Sequence, residues 1–344
     1  MSSIEVTSSH EEPLYHLIWE QIQDGEVVPF LGAGASLCNR PTGADGALVP
    51  WTGTESPFLP TVSELSRWLA RRCGFPDPTD SADLAKIASY HEIQTRRRLL
   101  VRSLREVFSK QYAFGPIHEF LAQSPKPLLI VTTNYDNLIE QAFQAEGRPY
   151  HLVTHPEREE YAASVLWWKP GAASPEMYKP SVLPLSLTDT TIIYKMHGTA
   201  NVNSVWNSFV ITEEDYVRVL ARMNDKLAIP ARFMKHFMKS SFLFLGYGLS
   251  DWNVRVMLET LHSTIRYDQS ATPQTDDGLD GDTVERLLSS FSADISDYPS
   301  WAIQHNPSRV ERRLWEHRDV KIFDMSLNDF VAQMWRERPG EVSQ

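Results

Sequence analysis

"VVPFLGAGAS", residues 27–36, is a short apolar run that breaks into Gly32 and Gly34 and stops at Ser36. Five residues dominated by branched and aromatic side chains fit a strand buried on both faces, the pattern of a parallel sheet. Glycines directly after such a strand let backbone amides approach a pyrophosphate, and the small Ala35 and Ser36 keep the entrance open. The same turn can also be a tight strand-to-loop connection with no ligand. A third glycine of the usual dinucleotide fingerprint would stand at position 37, which is Leu37, and "CNRPTGADG" follows where that fingerprint would enter a helix.

Working outward, "PLLIVTTN" (127–134), "TIIYKMHG" (191–198), "SFLFLGYG" (241–248) and "DVKIFDM" (319–325) are further strand-like runs that end in small or polar residues. Helical patterns separate them, over 137–147, 213–223, 251–262 and 326–337. Alternation of this kind predicts an α/β fold with a doubly wound, Rossmann-like parallel sheet. Two stretches depart from it. Residues 61–112 read as consecutive amphipathic helices, a helical insertion, and the proline-rich 155–188, with Trp167 and Trp168, reads as a second excursion from the sheet. The polar, acidic stretch 268–285 misses the calcium-loop register and reads as a surface loop. The expected organisation is a helix or tail over 1–23, one domain over 24–338 and a polar tail over 339–344.

The chain has 344 residues, 42% of them hydrophobic and 22% charged, which is the composition of a folded protein. A formal charge of −11 opposes a phosphate backbone, so direct nucleic-acid binding is not expected, and Arg96–Arg98 reads as a solvated helix face. No apolar run approaches the roughly 20 residues of a membrane span. The N-terminus lacks the basic start and apolar middle of a signal peptide, so the expectation is a cytoplasmic protein with no membrane partner. Two cysteines, Cys38 and Cys73, exclude a four-cysteine zinc module.

In an open α/β sheet a ligand lies beyond the carboxyl ends of the strands, so the residues ending each run are the candidates for chemistry. Asn134 and Asp136, with Thr133 beside them, end the second run, and either acid or amide could instead cap the following helix. His197, followed by a glycine, ends the third, where a structural histidine is the alternative. Gly246, Tyr247, Gly248, Ser250 and Asp251 end the fourth, where a turn and helix cap is the plain alternative.

Taken together, "GAGAS", "TTNYD", "HG" and a late "GYGLSD" resemble the NAD-binding core of the SIR2-like family, over roughly residues 24–337. More narrowly, "FLGAGAS", "TTNYDNLIE" and "FLFLGYGLSDWNVRVML" look like the SIR2-like effector domains of bacterial antiphage systems. The resemblance implies a sirtuin fold in which Gly32, Ala33, Gly34, Ala35 and Ser36 line the phosphates of NAD+. It implies that Asn134 and Asp136 face the nicotinamide ribose and carboxamide, and that His197 is the base beside that ribose. Gly246, Tyr247, Ser250 and Asp251 would border the adenosine half.

Deacylases of the family carry a zinc ribbon after the histidine, and no cysteine follows Cys73 here. The expectation is therefore a fold with no zinc ribbon and no metal, with NAD+ as substrate. Water would attack the ribose, and the products would be nicotinamide and ADP-ribose. A protein deacylase, an ADP-ribosyl transferase and a non-catalytic NAD or ADP-ribose sensing module are the alternatives. The antiphage role is implied by the resemblance, and with it abortive infection through NAD depletion. Restraint is expected from a homo-oligomer and from a sensor, an ATPase or an argonaute-like partner, or from a sensor on a longer parent chain. Residues 61–112 and 155–188 are the expected assembly surfaces.

Overall fold

In the computed structural model, which describes residues 15–77, 83–156, 161, 163–200, 209–224, 229–248, 300–318 and 320–338, the chain forms a nine-stranded, mostly parallel sheet. Its strands are β1 (Val27–Leu31), β2 (Leu129–Thr132), β3 (Tyr150–Thr154), β4 (Val165–Trp168), β5 (Glu176–Tyr178), β6 (Thr191–Lys195), β7 (Ser241–Leu245), β8 (Ser300–Gln304) and β9 (Val320–Asp324). They stand in the order β5-β4-β3-β6-β2-β1-β7-β8-β9. Every pairing from β3 to β9 is parallel, while β4 and β5 add antiparallel to one edge. From β1 the chain first builds toward β2, and from β7 it builds the other way. The switch point of the doubly wound sheet therefore lies between the carboxyl ends of β1 and β7.

Both faces of the sheet are covered, which is why its central strands read as continuous apolar runs. Val28 and Phe30 point to one face, with Phe233, Phe244 and Trp315; Val27 and Leu31 point to the other, with Ile18, Phe120, Trp301 and Phe330. The second face is covered by α1 (Tyr15–Asp24) and three helices met later in the chain. The departure after β1 consists of α2 (Val62–Cys73), α3 (Leu84–Thr95) and α4 (Arg97–Phe108), which share a third apolar cluster with Trp51, Tyr135 and Phe209. Thr61 and Glu64 form a reciprocal cap at the start of α2, and Gly74 ends it in the left-handed conformation. The remaining helices are α5 (Pro116–Ala122), α6 (Leu138–Ala145), α7 (Glu213–Asn224), α8 (Ala231–Phe237), α9 (Arg309–Glu316) and α10 (Leu327–Arg336). Of these α5, α6 and α10 join α1 on the second face, whereas α7, α8 and α9 contribute to the first.

Within 155–188 the described residues 165–168 and 176–178 belong to the sheet, contrary to the reading of the whole stretch as an excursion. β4 pairs with β3 and β5 pairs with β4, so the stretch widens the sheet. Trp167 and Trp168, each only 6% exposed, alternate along β4 into the two opposite cores, which removes them as an exposed assembly surface. Among the described residues no helix is long and apolar enough to cross a membrane. Residues 1–14, the helical pattern over 251–262, the acidic stretch 268–285 and the tail 339–344 lie outside the described residues.

Candidate active site

At the switch point two glycine turns are pressed together, backbone to backbone. Gly32 donates its amide to the Leu245 carbonyl at 3.1 Å, and Gly34 donates to the Gly246 carbonyl at 2.8 Å. A Cβ on Gly32 would stand 2.6 Å from both the Gly246 carbonyl oxygen and Tyr247 Cα, and one on Gly34 would stand 2.8 Å from that oxygen. Gly246 has a φ of +62°, and its Cβ would fall 2.4 Å from the Ala35 nitrogen. The glycines are thus required first by the fit of the β1 turn to the β7 turn. The amides of Gly32 and Gly34 are engaged inside the protein, which corrects their reading as donors freed for a pyrophosphate. Ala35 also turns its amide inward, to the Gly32 carbonyl at 3.0 Å, and is fully buried.

The short 3-10 turn Ala33–Leu37 then carries Ser36 toward the end of β2. Its hydroxyl donates to Asp136 Oδ2 at 2.6 Å and accepts from Asn134 Nδ2 at 3.0 Å. Asn134 Nδ2 also donates to the Gly32 carbonyl at 2.8 Å. A carbonyl can only accept, so this bond fixes which way the amide faces, and no described residue donates to Asn134 Oδ1. Ser36 is therefore a link in a side-chain chain rather than a residue turned only toward phosphates. Asp136, 5% exposed, accepts the amide of Leu138, the first residue of α6, on its other oxygen at 3.1 Å, while Asn137 holds the N-cap position without a side-chain bond.

His197 lies two residues beyond β6 and is 2% exposed. Its ring meets Tyr216 of α7 edge-on, with centroids 5.6 Å apart, and its carbonyl accepts the Val210 amide at 3.0 Å. Tyr135 joins the two strand ends, since its hydroxyl donates to the Val210 carbonyl at 2.6 Å. Behind Asp136, Lys195 donates to the Asp136 carbonyl and pairs with Glu140 Oε1 at 2.8 Å. His118 lies buried beneath the same acid, held down to about 4 by burial and also by the Lys195 charge, against the raising influence of Asp136.

These strand ends open into one cavity of ≈ 880 Å³, within the roughly 300–1,000 Å³ common for small-molecule sites. Ala33, Gly34, Ser36, Thr133, Asn134, Asp136, His197, Gly246, Tyr247 and Gly248 all line it. Gly32 and Ala35 sit behind that wall, and Ser250 and Asp251 lie outside the described residues. The opposite wall comes from Thr61, Leu65, Leu84 and Phe108 of the helical departure and from Tyr216 and Leu220 of α7. Reading 61–112 as a helical insertion and an assembly surface did not foresee this wall, because only the folded chain brings those helices over the strand ends. Lys195 and Glu140 were also missed. A lysine within the otherwise apolar "TIIYK" and an acid four residues after Asp136 were the available signals.

The SIR2-like domain family matches residues 128–323, from just before β2 into β9, so β1 and its glycine turn precede the matched span. The NAD(+) hydrolase ThsA of Enterococcus faecium is 27% identical over 256 residues, 73% of this chain and 43% of that protein. ThsA of Bacillus cereus is 25% identical over 252 residues, again 73% of this chain and 43% of the relative. Defense-associated sirtuin 2 of Bacillus subtilis is 25% identical over 157 residues, 45% of this chain and 12% of that protein. The chain thus spans less than half the length of the hydrolases it matches.

Proposed function

The chain belongs to the SIR2-like domain family, and we propose from that premise that it hydrolyses NAD+ to nicotinamide and ADP-ribose as the effector of an antiphage, abortive-infection system. The observation that carries the reading is the chain Asn134–Ser36–Asp136 at the mouth of the sheet, with His197 lining the same cavity. The names of the relatives, NAD(+) hydrolase and defense-associated sirtuin, support both the reaction and its setting.

Scission of the nicotinamide–ribose bond passes through a ribose with oxocarbenium character, as glycoside cleavage does. Asp136 supplies fixed negative charge for it. Both carboxylate oxygens already accept hydrogen bonds, so an electrostatic role suits this acid better than proton transfer. Asn134 keeps Oδ1 for a water hydrogen, while its Nδ2 is anchored on Gly32 and Ser36. His197 takes the proton of that water as it attacks. Residues Ala33, Gly34, Gly246, Tyr247 and Gly248 would contact the rest of the dinucleotide, and NAD+ is the substrate, with no metal in the scheme. Restraint of the activity is assigned to a homo-oligomer and to a sensor or ATPase partner.

The test is incubation of the purified chain with NAD+, with and without an acetylated peptide, followed by identification of the products. Nicotinamide and free ADP-ribose without peptide are expected, and Asn134→Ala should remove them while the protein stays folded. Turnover only with the peptide would replace hydrolysis by deacylation or ADP-ribosyl transfer. Binding of NAD+ with no product under any condition, partner proteins included, would leave a sensing module.

A further inference from the structure

Lys195 is the last residue of β6, and its side chain is 1% exposed. It opposes Thr132, the last residue of β2, and the ladder between these strands closes just beyond them with the Met196 amide on the Thr132 carbonyl at 2.9 Å. The turn 133–136 projects past the ladder, where the Ala200 amide on the Tyr135 carbonyl at 2.9 Å and two side chains hold it relative to β6 and the residues after it. Tyr135 provides one tie, through Val210. Lys195 provides another, from within β6 itself: its ammonium donates to the Asp136 carbonyl and to Glu140 Oε1, and Glu140 is itself 7% exposed. Packing alone would be served as well or better by an apolar pair, because desolvating two charges offsets much of their attraction. What an apolar pair cannot do is bind the carbonyl of the residue whose carboxylate faces the cavity.

We propose that Lys195, oriented by Glu140, is a positioning residue for NAD+ cleavage, holding the turn of Asn134 and Asp136 at a set distance from the strand that leads to His197. This rests on the reading that those three residues act on NAD+. A displacement of about 1 Å at such a site is worth up to about 100-fold in rate, so the pair should govern kcat and leave KM nearly unchanged.

The experiment combines Lys195→Met with Glu140→Leu, which leaves neither charge buried alone, and sets thermal melting beside kcat and KM for NAD+. The expected result is a folded protein with kcat reduced at least about tenfold and KM within about threefold of the unsubstituted chain. Lys195→Arg is the second variant. It keeps the charge beside Glu140 with a planar donor of different reach, and it should likewise melt near the unsubstituted chain with reduced kcat. Either variant folded with full kcat overturns the proposal. Failure of both to fold overturns it as well, since the pair would then hold the fold and not the site. An unsubstituted chain without turnover under every condition, partner proteins included, refutes the hydrolase reading and this inference with it, whereas folded variants with full kcat refute this inference alone.

Discussion

Two pairs of strand ends meet at the cavity, and they are built in opposite ways. At β1 and β7 the sequence removes side chains so that two backbone turns can touch: Gly32, Gly34 and Gly246 have no room for a Cβ. At β2 and β6 polar side chains are bonded to one another: Asn134 and Asp136 in front, joined through Ser36 from the β1 turn, and the buried Lys195 and Glu140 behind. The first pair shapes the site through backbone contacts. The second carries the charge and the proton-accepting capacity. A site of this kind separates shape from reactivity, so substitutions in the two halves should fail differently.

The largest effect expected is on the glycine side. Gly246→Ala meets both a positive φ and backbone atoms nearer than 3 Å, and should lose about 3 kcal/mol or more of stability. Urea unfolding measures it, and near-native stability would break the contrast. Next comes His197→Ala, which should lower NAD+ turnover by about 10² to 10⁴ while a folded protein is retained. Turnover close to that of the unsubstituted chain in a folded variant would remove the histidine from the mechanism.

Acid should act on the polar half and its surroundings. Burial pushes His118 and His155 down to about 4 from 6.5, so the unfolded chain binds protons that the folded chain refuses in that window. Stability should therefore fall as pH falls from about 6.5 toward 4. Glu64, at the base of the helical wall, extends the decline. Burial raises it, but the Arg40 ion pair and the Trp51 and Thr61 amides outweigh burial and hold it at about 2 from 4.5. Its contribution is complete above about 4.5 and is lost as pH falls toward 2. Melting temperatures across pH 7 to 3 check the sign, and a flat profile would count against it. The smallest effect belongs to Ser36→Ala, which removes a donor from Asp136 and an acceptor from Asn134 and should cost about 1 kcal/mol. A larger fall in turnover than in stability would sharpen the assignment of Ser36 to the reactive half.

Much of this arrangement was legible before folding. The five runs became β1, β2, β6, β7 and β9: the first four are buried on both faces and carry an uninterrupted apolar signal, while β9 at the sheet edge keeps Val320, Ile322 and Phe323 against exposed Lys321 and Asp324. β3, β4, β5 and β8 were not read. "YHLVT" and "SWAIQ" mix polar and apolar residues, and the prolines flanking β4 and β5 imitate a loop. Thr133, Asn134, Asp136 and His197 could be named because strand ends of a doubly wound sheet share one edge.

By itself the sequence determined where the chain must be extended, where it must lack a side chain, and which polar residues would stand at the strand ends. These are local properties, written in short runs of neighbouring residues. Only the tertiary structure decided what those residues are bonded to. The amides of Gly32 and Gly34 go to a turn more than 200 residues away, Ser36 goes to Asp136, and the helices after β1 become the far wall of the cavity. Hydrogen-bond partners and cavity walls are set by which segments the topology brings within a few ångströms, and that proximity has no counterpart in the spacing of residues along the chain.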